Sequence, residues 1–290
     1  MYEINQFFSY FIIYERMTLP DSTLQDSTLQ DSKLRVYNLD TPQYYFYKAQ
    51  HETQCYDYVI KKLEQYAVLN NETMKMSRAL ELMDTFIDPS DPDATNENSI
   101  HAYQTAERIR SKKPDDRELQ VTGLIHDLGK VLFSFGEPSL AVVGDTYAVG
   151  CEFPKSIVYY DSTMHANPDY QHPVYSSPNG IYKAGCGIEN LTLTFGHDEY
   201  LFRVLQQNKN HGLTKKYQNM IRFHSFYPWH TGGAYAQFMQ PGDEQLMANI
   251  LEFNKYDLYS KEDTDFVLTD EIRSYYAGLL DEYFPEPVTW

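Results

Sequence analysis

The chain has 290 residues, 42% of them apolar and 15% aromatic, and a formal net charge of −17. That apolar share suffices for the core of one large domain, while the acidic balance argues against gripping nucleic acid by its phosphates, which takes a surplus of Lys and Arg. Three cysteines, Cys55, Cys151 and Cys186, with no CxxC pair, exclude a thiolate zinc cluster and point to a reducing, cytoplasmic setting; a single Cys151–Cys186 bridge stays open.

The run FFSYFII at 7–13 is far shorter than the roughly 20 apolar residues that span a bilayer, and the MYEINQ before it lacks the basic start of a secretory signal. We read it as an apolar patch packed on the domain, or as lying upstream of a natural start at Met17. No membrane segment follows elsewhere. DSTLQ, DSTLQ and DSKLR at 21–35 are near-copies of five residues, well short of a solenoid period, and their polar composition predicts a flexible arm over 1–33 ahead of one helical domain over 34–290.

Helical spacing of apolar residues then runs through TPQYYFYKAQHETQCYDYVIKKLEQYAVL (41–69) and MKMSRALELMDTFI (74–87). DPSDPDAT (88–95) is a loop broken by Pro89 and Pro92. Asn98 or Ser99 is placed to cap the next helix, SIHAYQTAERIRSK, and Pro114 with its acidic neighbours suits the start of PDDRELQVTGLIHDLGKVLFSF. Residues 137–190 are rich in Pro, Gly, Asn and Asp and predict a long irregular excursion holding one short hairpin. Helices resume with NLTLTFGHDEYLFRVLQQNK, then KKYQNMIRFHSFYP, ended by Pro228, and two more toward the carboxyl end. With no βαβ alternation and no Gly-rich phosphate loop, the class is mainly α.

Inside these apolar stretches sit His101, His126, Asp127, His197, His224 and Asp257. Four imidazoles and two carboxylates suit zinc, manganese or iron. They exceed the three or four ligands of one tetrahedral zinc and fit two ions sharing a carboxylate, for which Asp127 beside His126 is placed. Each histidine taken alone is more commonly a hydrogen-bonded core or surface residue, and periodicity does not show that the five segments meet. Asp198, which repeats the His–Asp dyad after His197, reads as a surface acid or as a group orienting an imidazole. His51, His165, His172, His211 and His230 stand in more polar or turn-rich contexts.

His101, His126–Asp127 and a distant Asp257 resemble the H…HD…D pattern of the HD-domain superfamily. HAYQTAE, GLIHDLGK, AVVGDTYAVGC, DST, NPD, GHDEYL, MIRFHSFYPWHTGG and EFNKYDLYSK narrow the resemblance to the inositol oxygenase family, in that order and over roughly residues 35–290. This resemblance implies an HD-like helical bundle around a dinuclear site with mixed-valent Fe(II)/Fe(III) and O2 as co-substrate. It implies ring opening of myo-inositol to D-glucuronate and water. His101, His126, Asp127 and Asp257 would hold one iron and Asp127, His197 and His224 the other, with Asp127 the bridge. Arg35, the turn Asp88–Pro89–Ser90, Lys130, Gly144–Asp145, Ser225 and Lys261 would contact substrate, Lys130 stabilising negative charge that develops on it. Pro89 stands where the family usually has an acid, and it brings no N–H. The excursion at 137–190 would exclude water. The alternative is an HD-type phosphohydrolase using the same His–Asp core on a phosphate; a non-catalytic helical binding protein is a further one. The expected partner is the small polyol alone, with no nucleic acid, no membrane and a monomeric chain.

Overall fold

The computed structural model describes residues 38–90, 98–260 and 266–290. The arm at 1–33 with its FFSYFII run, Met17, Arg35, Pro92 and Lys261 lie outside the described residues. Helix α1 (Pro42–Thr53) starts where the Thr41 hydroxyl accepts from the Tyr44 N–H at 3.2 Å and Pro42 has no N–H to leave unpaired. The helical spacing of 41–69 is realised as two helices: the chain breaks at Gln54 and restarts as α2 (Tyr56–Gln65). The break has a distant cause. The buried Gln54 amide donates to Leu140 O at 2.9 Å and Phe195 O at 2.7 Å and accepts from Phe195 N at 3.0 Å. It thereby ties both ends of the excursion to the α1–α2 joint.

A two-residue strand β1 (Thr73–Met74) precedes α3 (Met76–Met83), α4 (Asn98–Lys112) and α5 (Arg117–Ile125). Asn98 and Ser99 are the first two residues of α4 rather than caps ahead of it: Asn98 Nδ2 donates to Met83 O at 3.0 Å and Phe86 O at 2.6 Å, and Ser99 N and Oγ donate to Asp84, both at 2.7 Å. Asn98 thus satisfies carbonyls at the end of α3, and the Asp84 carboxylate satisfies a free N–H at the start of α4. Asp116 caps α5, accepting from Leu119 N at 3.0 Å.

The LIHDLGK stretch is not one α-helix. The α-helix stops at Ile125, Asp127 takes the sparsely populated bridge conformation (φ −93°, ψ −1°), and a 3-10 helix runs Leu128–Phe135. Tighter winding eclipses side chains three apart and sets Lys130 over Asp127.

Beyond α6 (Tyr160–Thr163) come α7 (His197–Gln207), α8 (Lys215–Phe223), α9 (Tyr227–His230), α10 (Asp243–Ser260) and α11 (Asp270–Tyr283). Helix α8 ends at Phe223, not at Pro228; Pro228 stands in the first turn of α9, where a missing N–H costs nothing. Strand β2 (Val288–Thr289) pairs antiparallel with β1, Thr73 opposite Thr289, and brings Trp290 into full burial.

Helix α4 packs along α5, α7 along α8 and the 3-10 segment, and α10 across α4 and α8. Ile109, Val121, Leu124, Leu128, Val131 and Val204 are fully buried between them, each such aliphatic stabilising by about 1.5–3 kcal/mol. The expected hairpin in 137–190 is absent; an isolated bridge joins Ala148, inside that stretch, to Leu193 just beyond it. The excursion is ordered by packing instead, with Tyr147, Val149, Phe153, Ile157 and Met164 closing over Val59, and with Tyr147 Oη donating to Gln54 O at 3.1 Å. Cys55, Cys151 and Cys186 all carry free thiols. No helix of the described residues is long and apolar enough to cross a membrane.

Candidate metal centre

Five elements deliver the six sequence-predicted ligands to one place: α4 brings His101, the α5–3-10 junction His126 and Asp127, the start of α7 His197, the end of α8 His224, and α10 Asp257. All but His101 are buried. Three imidazoles are fixed the same way. His126 Nδ1 meets Gly123 O at 2.8 Å, His197 Nδ1 meets Val142 O at 2.7 Å, and His224 Nδ1 meets Ile221 O at 2.8 Å. A carbonyl only accepts, so each Nδ1 carries a hydrogen, and in the neutral imidazole each Nε2 presents a lone pair.

Those lone pairs converge. His197 Nε2 and His224 Nε2 stand 3.3 Å apart, 3.1 and 3.6 Å from Asp127 Oδ1. Two acceptors and a carboxylate oxygen facing one another repel unless a cation or proton lies among them, so this donor set fits a metal ion. On the other side, His126 Nε2 is 3.6 Å from Asp127 Oδ2 and 3.5 Å from Asp257 Oδ1, which meets His101 Nε2 at 2.9 Å. Residue groups of metal-holding geometry are thus His101–His126–Asp257, His126–Asp127–His224 and His197–Asp198–His224. Asp127 meets His197 and His224 with Oδ1 and His126 with Oδ2.

Burial pushes the Asp127 carboxyl up, but Lys130 and the imidazoles of His126, His197 and His224 outweigh it and hold it well below the usual range. Burial likewise raises Asp257, and His101 and His126 bring it well below. Burial lowers His224, yet Asp198 and Asp127 draw it well above an ordinary imidazole. Lys130 is 8% exposed, too buried for a snorkelling surface lysine. Burial lowers its pKa, but Asp127 Oδ2 at 2.9 Å and Asp88 Oδ2 at 3.1 Å raise it above the usual value.

Of the residues expected to meet substrate, Asp88 contacts that ammonium directly. Asp88 Oδ1 accepts from Ser90 N at 2.9 Å and Ser90 Oγ at 2.6 Å, so the turn closes without any N–H from Pro89. Gly144 has φ +99°, a left-handed conformation that favours glycine, and Asp145 Oδ1 accepts from Tyr47 Oη at 3.1 Å. Ser225 donates its hydroxyl to Asp198 Oδ1 at 3.1 Å. Asp198 is no surface acid, being 1% exposed. Burial raises its carboxyl, and His197 then His224 bring it below the usual value. His230, polar in its local sequence context, is buried and holds His224 by its carbonyl at 3.0 Å, joined by Asn254 Nδ2 at 3.1 Å.

The family model for myo-inositol oxygenase matches residues 42–290. The chain belongs to the myo-inositol oxygenase family. It is 46% identical over 244 residues to the inositol oxygenase of Sus scrofa, covering 84% of this chain and 86% of that protein. With the inositol oxygenase of Homo sapiens the identity is 46% over 84% of this chain and 85% of the relative. With inositol oxygenase 1 of Arabidopsis thaliana it is 45% over 84% and 79%. The family read from the sequence motifs is therefore the right one, and the chain is an enzyme of the inositol oxygenase type.

Proposed function

We propose that this chain opens the ring of myo-inositol with O2, giving D-glucuronate and water, at a site of two iron ions. His101, His126, Asp127 and Asp257 hold one iron, Asp127, His197 and His224 the other. One oxygen atom of O2 enters the product and the other leaves in water, so myo-inositol plus O2 balances glucuronic acid plus one water. The observation that carries the reading is Asp127, whose two oxygens face separate sets of imidazole nitrogens. Bound iron supplies the one-electron and oxygen chemistry that no side chain has.

The protein's own groups bind and orient the polyol. Lys130, raised by Asp127 and Asp88, stays an ammonium at neutral pH. It donates to a substrate oxygen and stabilises negative charge there, and does not serve as a base. Ser90 occupies one oxygen of Asp88 and Lys130 the other, which makes the 88–90 turn a rigid wall. Ser225 directs its O–H hydrogen bond to Asp198 and offers substrate the lone pairs of its oxygen. Asp145 is steadied by Tyr47 and accepts from a ring hydroxyl. Arg35 and Lys261 complete the substrate set, residues 34–290 are one catalytic domain, and the packed excursion over 137–190 keeps water out.

Incubating iron-loaded protein with myo-inositol under 18O2 tests this. The reading expects glucuronate carrying one labelled atom. Unlabelled or absent glucuronate, with phosphate released from a nucleotide instead, moves the assignment to an HD-type phosphohydrolase.

A further inference from the structure

Asp198 and Glu199 are adjacent acids at the start of α7 with opposite surroundings. Glu199 is matched by arginines, Arg203 Nε at 2.9 Å and Arg222 Nε at 2.7 Å. Asp198 is 1% exposed and has no Lys or Arg partner among the described residues. Its Oδ2 has no hydrogen-bond partner among them either. A bare N-terminal acid of a helix would turn to the free N–H groups there. Asp198 turns instead into the metal centre, with Oδ1 2.8 Å from His224 Nδ1 and 3.4 Å from His197 Nε2. A buried carboxylate persists only where positive charge compensates it. The nearest place for that charge is the point on which the two Nε2 lone pairs converge.

We infer that Asp198 is a positioning residue for the ion held by His197 and His224. Its carboxylate orients the His224 imidazole through Nδ1–H and strengthens His224 as a donor. The other ion has a carboxylate of its own, Asp257, in direct contact; Asp198 has the matching role but acts through an imidazole. The two ions therefore sit in unequal fields, and the charge of Asp198 favours the more oxidised state at its side. The inference rests on the two-iron reading above.

The test is anaerobic Fe(II) titration of the full chain against a competing chelator, for wild type, Asp198→Asn and Asp198→Glu. Wild type binds two ions. Asp198→Asn, of the same shape without the charge, keeps one ion and binds the second about 10–100-fold more weakly. Asp198→Glu, which restores the charge, recovers most of that affinity. The midpoint potential of the loaded centre moves to more positive values in Asp198→Asn, a shift that a merely structural role would not produce. Wild-type affinity and potential in Asp198→Asn overturn the inference. So does equal loss of the second ion in both variants, or, where Asp198→Asn does not fold, loss of the second ion in Asp198→Glu. A wild-type chain that takes up fewer than two ions overturns the two-iron reading and this inference with it.

Discussion

Lys130 Nζ lies 2.9 Å from Asp127 Oδ2 and 3.1 Å from Asp88 Oδ2, so one ammonium joins the central carboxylate to the turn at 88–90. Lys130→Met removes the shared cation and leaves two buried acids facing each other. Breaking a buried pair in this way costs about 3–5 kcal/mol, which urea unfolding of metal-free protein at pH 7 reads directly. Losing the donor aimed at developing charge lowers kcat by about 100-fold or more. Normal stability together with normal kcat would place Lys130 outside the machinery.

Gly129 packs against the backbone of His197 so tightly that a Cβ there would overlap its carbonyl carbon and oxygen. Replacing glycine by alanine at an open, compatible site stabilises by about 0.4–1 kcal/mol. Gly129→Ala has the opposite sign here and costs about 3 kcal/mol, because backbone must move to admit the methyl group. The thermal midpoint falls, and iron content falls with it, since His197 is carried away from Asp127. A variant as stable as wild type contradicts the close approach.

His51 is wholly enclosed, with Nδ1 2.7 Å from Thr163 Oγ1, and burial lowers its pKa from 6.5 to about 3. The unfolded chain takes up a proton below its ordinary value while the folded chain refuses it. Stability is intact above pH 6.5 and is lost progressively down to about pH 3. Between pH 7 and pH 5 this single group accounts for about 2 kcal/mol of loss. Denaturant titrations at the two pH values should show wild type losing that much more than His51→Gln. Parallel losses would mean that His51 accepts its proton without unfolding.

Iron binds the folded chain and not the assembled site's scattered parts, so it stabilises by mass action. At a free concentration a hundredfold above its dissociation constant, an ion adds about 2.7 kcal/mol. Chelation should lower the thermal midpoint, and Asp127→Asn should abolish most of that difference because both ions lose the same ligand. A midpoint indifferent to chelator contradicts a coupled site.

The helical class and the apolar positions of α4, α5, α7 and α8 were legible from periodicity, since their faces are decided locally. The six residues His101, His126, Asp127, His197, His224 and Asp257 stood out as polar groups in apolar company, and the family was legible in long motifs such as GLIHDLGK. What stayed hidden depends on partners far along the chain. Gln54 breaks a periodic helix because it must reach Leu140 and Phe195. In the 3-10 segment after Asp127, Gly129 packs on the backbone of His197, in a helix much later in the chain. His51 looked polar in its local context, yet Tyr147 and Thr163 enclose it. Asp198 was ambiguous because burial is not written in a dyad; its one sequence signal was the second His–Asp pair.

The most direct measurement is O2 uptake by iron-loaded, partly reduced protein with and without myo-inositol. The account predicts uptake only with inositol, one O2 consumed per glucuronate formed. With two irons demonstrably bound, O2 uptake indifferent to inositol, or none at all, would contradict it.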